Sequence, residues 1–463
     1  MRYLKKYTLQ TMAAMLLAFA LLSSSCNKLI EIPSHPDDKL STDRVFSDSL
    51  NVISALVGLY TNMHTSGSGG YIFSSDLTIY AGMSSDELVY TYIGNTEFSD
   101  NDLRAENAEV NTLWVSAYAG IYQVNAFIEG ITDNKNISGS LQRQVHGEAL
   151  VTRALYYFQL VNLYGAVPMI TGTDFQVNAK KPRASVDSIY ALILSDLTTA
   201  VTLLPEKYPS AGHLRPNLHT ARALLARVYL YLRQWRQAAD LSGQIIASNM
   251  YQLIGLNEIF WDGSKEAIWQ IPYTTNGSQT ADANYLTPSY VGGQPSFALT
   301  DWQMNAFEPG DLRRTSWTFS TISNGVTYNC ASKYKNSYDG TPIEDYTFFR
   351  LGEQYLIRGE ALAQLDLLDS ARGDINAIRS RAGLGATTAV TKDEVLAAIE
   401  HERQTELFCE LGHRWYDLKR TGRIAAVMNA EKPGRWQPTD ALYPVPLLQR
   451  QTNPFLTQNP GYQ

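Results

Sequence analysis

Apolar and polar residues in this chain recur mostly with the period of a helix. Between Asp48 and His64 the apolar positions Val52, Ile53, Leu56, Val57 and Tyr60 fall at helical spacing, which predicts an amphipathic helix. The same period returns over 105–131 and 141–164, and the second segment stops at Gly165 and Pro168, residues that end helices. It returns again over 186–204, 218–232, 235–248, 349–367 and 368–382. Two stretches break the rule. Residues 65–70 are a flexible break, and 71–104 are mixed, with strand-like alternation over 89–93 and a turn signal at Gly94-Asn95. Residues 260–349 have little helical period and read as long loops and short strands, segments that tend to carry function. Inside them Leu299, Trp302, Met304 and Phe307 form a short helical pattern, so Trp302 reads as core.

The later helical segments pair. Arg233-Gln234 joins two of them, and Ala221, Ala238 and Ala239 alternate with Leu225, Tyr229 and Trp235 where the helices must approach closely. Ala361, Ala363 and Ala371 crowd the junction of 349–367 with 368–382. The pattern is similar to a tetratricopeptide repeat, in which each helix pair buries a face against the next. The predicted fold is mainly α: a tetratricopeptide-like helical-repeat scaffold carrying long loops and short strands.

Composition changes the picture in three places. A hydrophobic fraction of 44% supplies a sizeable core and excludes general disorder. A net charge of −7 argues against a nucleic-acid partner, which needs clustered positive charge. The charged fraction is low at 18% and tyrosine is abundant, with 28 copies, which suits a neutral, hydroxyl-bearing ligand. Residues 260–349 are richest of all, with 17 aromatic side chains in 90 residues against 11% for the whole chain.

The first residues point to export. Arg2, Lys5 and Lys6 precede an unbroken apolar run from Met12 to Leu22, too short to span a membrane with its flanks. Ser23-Ser24-Ser25-Cys26 then resembles a lipoprotein signal, although the Leu usual three places before the Cys stands at four. The expected organisation is a signal peptide at 1–25, a lipidated Cys26 with a tether over 26–47, and one domain over 48–463. Cys330 and Cys409 could pair, but neither has a metal or redox neighbour, and Cys409 lies in an apolar helical pattern that suits a buried free thiol.

Catalytic signatures are missing. His401-Glu402 begins like a zinc-binding HExxH, but Thr405 stands where the second His is needed. Gly383-Leu384-Gly385 fits a helix C-cap better than a dinucleotide loop. The carboxylate pairs Asp86/Glu87 and Glu406/Glu410 leave an acid–base site open in principle. Glu402, Glu406 and Glu410 with Arg403 and Arg414 recur at helical spacing and read more simply as an ion-paired helix face. No catalytic residue, metal ligand or cofactor site is assigned.

Several spaced motifs carry a family resemblance. Glu148 with Arg153-Ala154-Leu155-Tyr156-Tyr157-Phe158 and Leu163-Tyr164-Gly165 comes first, then Pro182-Arg183-Ala184-Ser185-Val186. Arg350-Leu351-Gly352-Glu353, Arg358-Gly359-Glu360-Ala361, Asn376, Arg379 and Arg381-Ala382-Gly383-Leu384 follow. Glu402-Arg403, Glu406-Leu407, Gly412-His413-Arg414-Trp415-Tyr416-Asp417-Leu418 and Arg420 are the strongest signature, and Tyr443-Pro444-Val445-Pro446 and Asn459-Pro460-Gly461-Tyr462 close the chain. Together they resemble the SusD/RagB-like outer-membrane lipoproteins, with Gly359 and Leu411 as small departures.

The resemblance implies a non-catalytic, lipid-anchored outer-membrane protein facing the cell exterior. Such a protein captures an oligosaccharide and hands it to a SusC-like TonB-dependent transporter. Peptides, as in the RagB-like branch, are the alternative ligand, and a hydrolase is a third reading. Bottom-up, Arg153, Arg403, Glu406 and Arg414 should be buried ion pairs that lock helices, because isolated buried charge is costly. The ligand loops are expected at about 65–104 and 260–349. Within them Tyr90, Tyr92, Asn95, Tyr285, Tyr290 and Trp317 are the candidate glycan contacts, since a sugar's C–H face stacks on an aromatic ring.

Overall fold

In the computed structural model, residues 42–64, 72–94, 96–272, 280–335 and 343–463 are described. Cys26, the apolar run before it and Asn95 lie outside them.

Helix α1, Ser49–His64, turns Val52, Leu56, Leu59 and Tyr60 inward. The next helix, α2, Leu77–Ser84, lies where the chain carried no helical period. It is buried on nearly every face, and a helix without a polar face has no amphipathic period to show. Strand β1 is Leu88–Tyr90. Helix α3, Ala108–Ile131, starts where the Asn107 side chain accepts the Val110 N–H. Helix α4, Gly139–Tyr164, starts the same way on Ser138 and ends at Gly165, whose φ of 71° admits glycine readily. Strands β2, Val167–Pro168, and β3, Arg183–Ala184, pair just beyond it.

Helix α5, Val186–Leu203, packs on α4 and buries Ile189, Ile193, Leu197 and Ala200. It is long and apolar enough to cross a membrane by composition, but here it is one layer of the helical stack. Two hairpins follow the repeat pattern. The first joins α6, Leu218–Tyr231, to α7, Trp235–Ala247. Beyond the weakly periodic middle, residues 260–349, comes the second, α11, Leu351–Gln364, with α12, Leu368–Arg381. The two turns match. Arg233 and Asp366 both take left-handed φ, 58° and 61°. The following N–H reaches back in each case, from Gln234 to the Tyr229 carbonyl at 2.8 Å and from Leu367 to the Leu362 carbonyl at 2.9 Å. Ala226, Ala238, Ala239 and Ala361 pack together between the hairpins, and Ala363 and Ala371 do so against the next helix, α13, Lys392–Leu407. Helices α14, His413–Arg420, and α15, Ile424–Glu431, complete the scaffold.

The weakly periodic middle is more regular than its sequence shows. Strand β4, Ala267–Pro272, pairs with β8, Asp345–Arg350. Helix α8, Ala281–Leu286, leads to strand β5, Phe297–Leu299, and on to α9, Asp301–Asn305, and α10, Leu312–Trp317. Strands β6, Thr318–Ser323, and β7, Val326–Ala331, then form a hairpin. The sheet order β1-β5-β7-β6 joins the early break in helical period to the late one.

The motif charges are buried and paired, as expected. Arg153 holds Asp196 of α5, Arg403 holds Asp417, and Arg414 holds Asp86. Glu402 and Glu406 of α13, and Glu410 just beyond its end, do not pair along the helix. Glu406 accepts from Arg350 at 2.5 Å, from Arg313 at 3.4 Å and from Arg381. Glu402 accepts from Arg313 and Arg379, and Glu410 from Arg350 and Lys333. Burial works to raise the Glu406 pKa, but Arg381, Arg350 and Arg313 together hold it well below the ordinary carboxylate range.

Candidate functional site

The antiparallel pairing of β1 with β5 builds an exposed aromatic surface. It sets Tyr90 opposite Phe297 and Leu88 opposite Leu299, a cross-strand aromatic pair of the kind that stabilises a sheet. The Tyr90 ring lies 5.3 Å from Phe297 and 5.8 Å from Tyr92, and Tyr285 on α8 approaches Phe297 at 6.4 Å. Tyr90 is half-buried, while Tyr92, Tyr285 and Tyr290 are 47%, 43% and 67% exposed.

Hydrogen bonds to backbone carbonyls fix the loop before β5 to the strand end after β1. The Thr91 N–H donates to the Ser296 carbonyl at 3.1 Å, and the Gln294 side-chain amide donates to the Thr91 carbonyl at 2.7 Å. The Tyr92 hydroxyl donates to the Gln294 carbonyl at 3.2 Å. Tyr290 caps the turn, with the Gly293 N–H donating to its carbonyl at 2.9 Å. A Cβ on Gly293 would meet that carbonyl oxygen at 2.9 Å and the Tyr290 ring carbon Cζ at 3.2 Å. Glycine is therefore what lets the Tyr290 ring fold back over the turn. Ile93 and Val291 are fully exposed at the two loop tips. Rings that present a face and a hydroxyl to solvent can take the C–H face of a polar ligand while hydrogen bonding to its edge.

Two tryptophans exchange the roles expected of them. Trp317 is 0% exposed, its indole N–H donates to the Leu256 carbonyl at 2.8 Å, and Lys333 Nζ sits 4.5 Å from its ring. It is a core residue and cannot serve as a surface contact. Its helix, α10, is too short to display a period, so weak periodicity around it said nothing about exposure. Trp302, expected in the core, is 39% exposed on α9. The apolar spacing that placed it inside runs from the end of β5 across α9, and only Met304 and Phe307 of that pattern turn inward with Leu299. Phe297, the ring on which Tyr90 and Tyr285 lean, was missed. A three-residue strand carries too few positions to read.

The candidate chemistry elsewhere is already occupied. Asp86 and Glu87 are both buried, Asp86 under Arg414, and Glu87 with its pKa pushed up to about 8 by burial and then by Asp86. Glu308, His401 and Glu402 bring donor atoms within 4.8 Å of one another. Arg379 Nη1 donates to Glu308 at 2.5 Å and to Glu402 at 2.7 Å, and His401 Nε2 lies 2.7 Å from the Ala306 carbonyl. A guanidinium thus fills the place a metal cation would take. Cys330 and Cys409 are free and buried.

A family model described as "Starch-binding associating with outer membrane" matches residues 34–230, and the SusD family model matches 302–462. SusD-like protein P25 of Formosa agariphila is 24% identical over 95% of this chain and 97% of its own length. Among solved structures, a SusD superfamily protein from Bacteroides vulgatus superposes with a TM-score of 0.80 at 22% identity, covering 90% of this chain and 99% of its own. A laminarin-binding SusD-like protein superposes with a TM-score of 0.76 at 23% identity, covering 90% and 100%. The two matched stretches leave 231–301 between them, and Tyr285, Tyr290 and Phe297 fall in that interval.

Proposed function

The chain belongs to the SusD/RagB-like family, and from that premise we propose that it is a non-catalytic oligosaccharide-binding lipoprotein of the cell surface. The observation that carries this reading is the tyrosine surface assembled across the β1–β5 seam, with Tyr90, Tyr92, Tyr285 and Tyr290 around Phe297. A stacked sugar face of roughly 50–100 Å² contributes about 1–2.5 kcal/mol per ring. Two or three such rings give a capture weak enough to be reversed. Asn95, outside the described residues, follows Gly94 in the sequence and would add a polar contact to the same ligand.

Calorimetry against a panel of neutral oligosaccharides tests the ligand. At least one should bind, and Tyr92→Ala with Tyr290→Ala should abolish measurable binding in a protein that stays folded. Binding of peptides in place of every glycan would move the reading to the peptide alternative, and bond cleavage in a turnover assay would move it to a hydrolase.

Delivery to a SusC-like TonB-dependent barrel and anchoring through Cys26 complete the proposal. An acylated Cys26 supplies membrane affinity, so Cys26→Ala should leave the protein out of the outer-membrane fraction. Purification from outer membranes should recover a barrel with the chain, and its repeated absence would remove the transport partner.

A further inference from the structure

A cleft of about 680 Å³ opens among the turn after α6, the end of α11, and helices α13 and α14. It is independent of the tyrosine surface, and its lining is unusual for a chain of net charge −7. Arg233, Arg403, Arg414, Arg420 and Arg423 all face it, against the carboxylates of Glu360, Asp393, Glu400 and Asp417. Arg403 and Arg414 are each hydrogen-bonded through one edge, whereas Arg420 is engaged on both, its Nε also donating to Asp417 at 2.8 Å. Arg403 holds Asp417 through Nε and Nη2 at 2.6 and 3.1 Å, Arg420 holds Glu360 at 2.5 and 2.7 Å, and Arg414 holds Asp86 at 2.9 and 2.7 Å.

These pairings leave donors over. Arg403 is 3% exposed, and its Nη1 has no hydrogen-bond partner among the described residues. A buried guanidinium N–H without an acceptor is costly, and an incoming anion would relieve it. On the rim, among the described residues, Arg423 meets only the half-buried Glu400, at 3.1 Å, and Arg233 makes no ion pair. Trp235 and Leu418 add apolar wall beside the guanidinium groups.

We propose that this cleft receives an acidic peptide segment, with a carboxylate side chain among Arg233, Arg403 and Arg423 and an adjacent apolar side chain on Trp235. A guanidinium fork matches a carboxylate in plane and spacing. The volume accommodates one such side chain with its neighbours.

The test uses the purified chain and fluorescence anisotropy of a labelled peptide of alternating Leu and Glu, its Leu/Gln counterpart, and tri-galacturonate as competitor. The acidic peptide should bind at least about tenfold more tightly than the Gln peptide, and added salt should weaken it. Arg233→Gln with Arg423→Gln, both exposed rim positions outside the buried ion pairs, should cut affinity about fivefold or more while the melting temperature and oligosaccharide binding stay unchanged. Equal affinity for the two peptides, no loss in the rim variant, or displacement of the peptide by tri-galacturonate would each overturn the proposal.

Discussion

Glu406 in the scaffold is gripped by arginines from α10, β8 and α12, whereas Tyr92 at the seam is held, among the described residues, by one ring contact and one hydroxyl hydrogen bond. The first region is over-determined. Its charges lie in the interior, where each must find a counter-charge, so that changing one residue disturbs several elements. The second region is fixed by its backbone, through the β1–β5 ladder and the Thr91–Ser296 bond, while the side chains of Tyr92, Tyr285 and Tyr290 stay exposed. A frame that tolerates little change thus carries a surface that tolerates much, and a ligand surface can be altered there without disturbing the fold.

Breaking the scaffold should have the largest effect. Glu406→Ala leaves Arg313, Arg350 and Arg381 short of a shared counter-charge and should cost about 3–5 kcal/mol of unfolding free energy, read from the urea midpoint. A much smaller loss would mean that Glu266, Glu402 and Glu410 hold the arginines unaided. Trp317→Ala belongs on the same side of the comparison, at about 3–5 kcal/mol. Its stability should fall while oligosaccharide binding per folded molecule stays constant; the reverse result would return Trp317 to the ligand surface.

Next comes a pH effect confined to the interior. Burial, followed by the Asp86 charge, raises Glu87 from 4.5 to about 8. An acid raised on folding keeps its proton in the native state after the unfolded state has lost it. For this group stability is greatest below pH 4.5 and declines as pH rises toward about 8. Glu87→Gln should flatten that decline in unfolding curves collected across the interval, and an unchanged slope would assign it to other groups.

The smallest effect on the fold, and the one that defines the seam, is expected from the tyrosines. Tyr92→Ala and Tyr290→Ala should each weaken oligosaccharide binding by about 1–2 kcal/mol, measured by calorimetry. Stability should stay within about 0.5 kcal/mol of the parent. Early unfolding of either variant would erase the distinction between frame and surface.

The sequence by itself determined the strongly periodic helices α1, α3 to α7, α11 and α12, though not α2 or α8 to α10, together with the pairing into hairpins and the burial of Arg153, Arg403, Glu406 and Arg414 as ion pairs. Helical period, caps and the cost of unpaired buried charge act locally, or at every fold alike, and so they are written in the order of residues. It also singled out Tyr90, Tyr92, Tyr285 and Tyr290, but only as members of two separate stretches. Tertiary structure alone decided that these stretches meet, because three-residue strands far apart in sequence pair through contacts that no local pattern records. It decided likewise that Trp317 lies inside and Trp302 outside, and which arginines answer Glu402, Glu406 and Glu410. The burial of a side chain on a short element depends on what packs over it, and that comes from elsewhere in the chain.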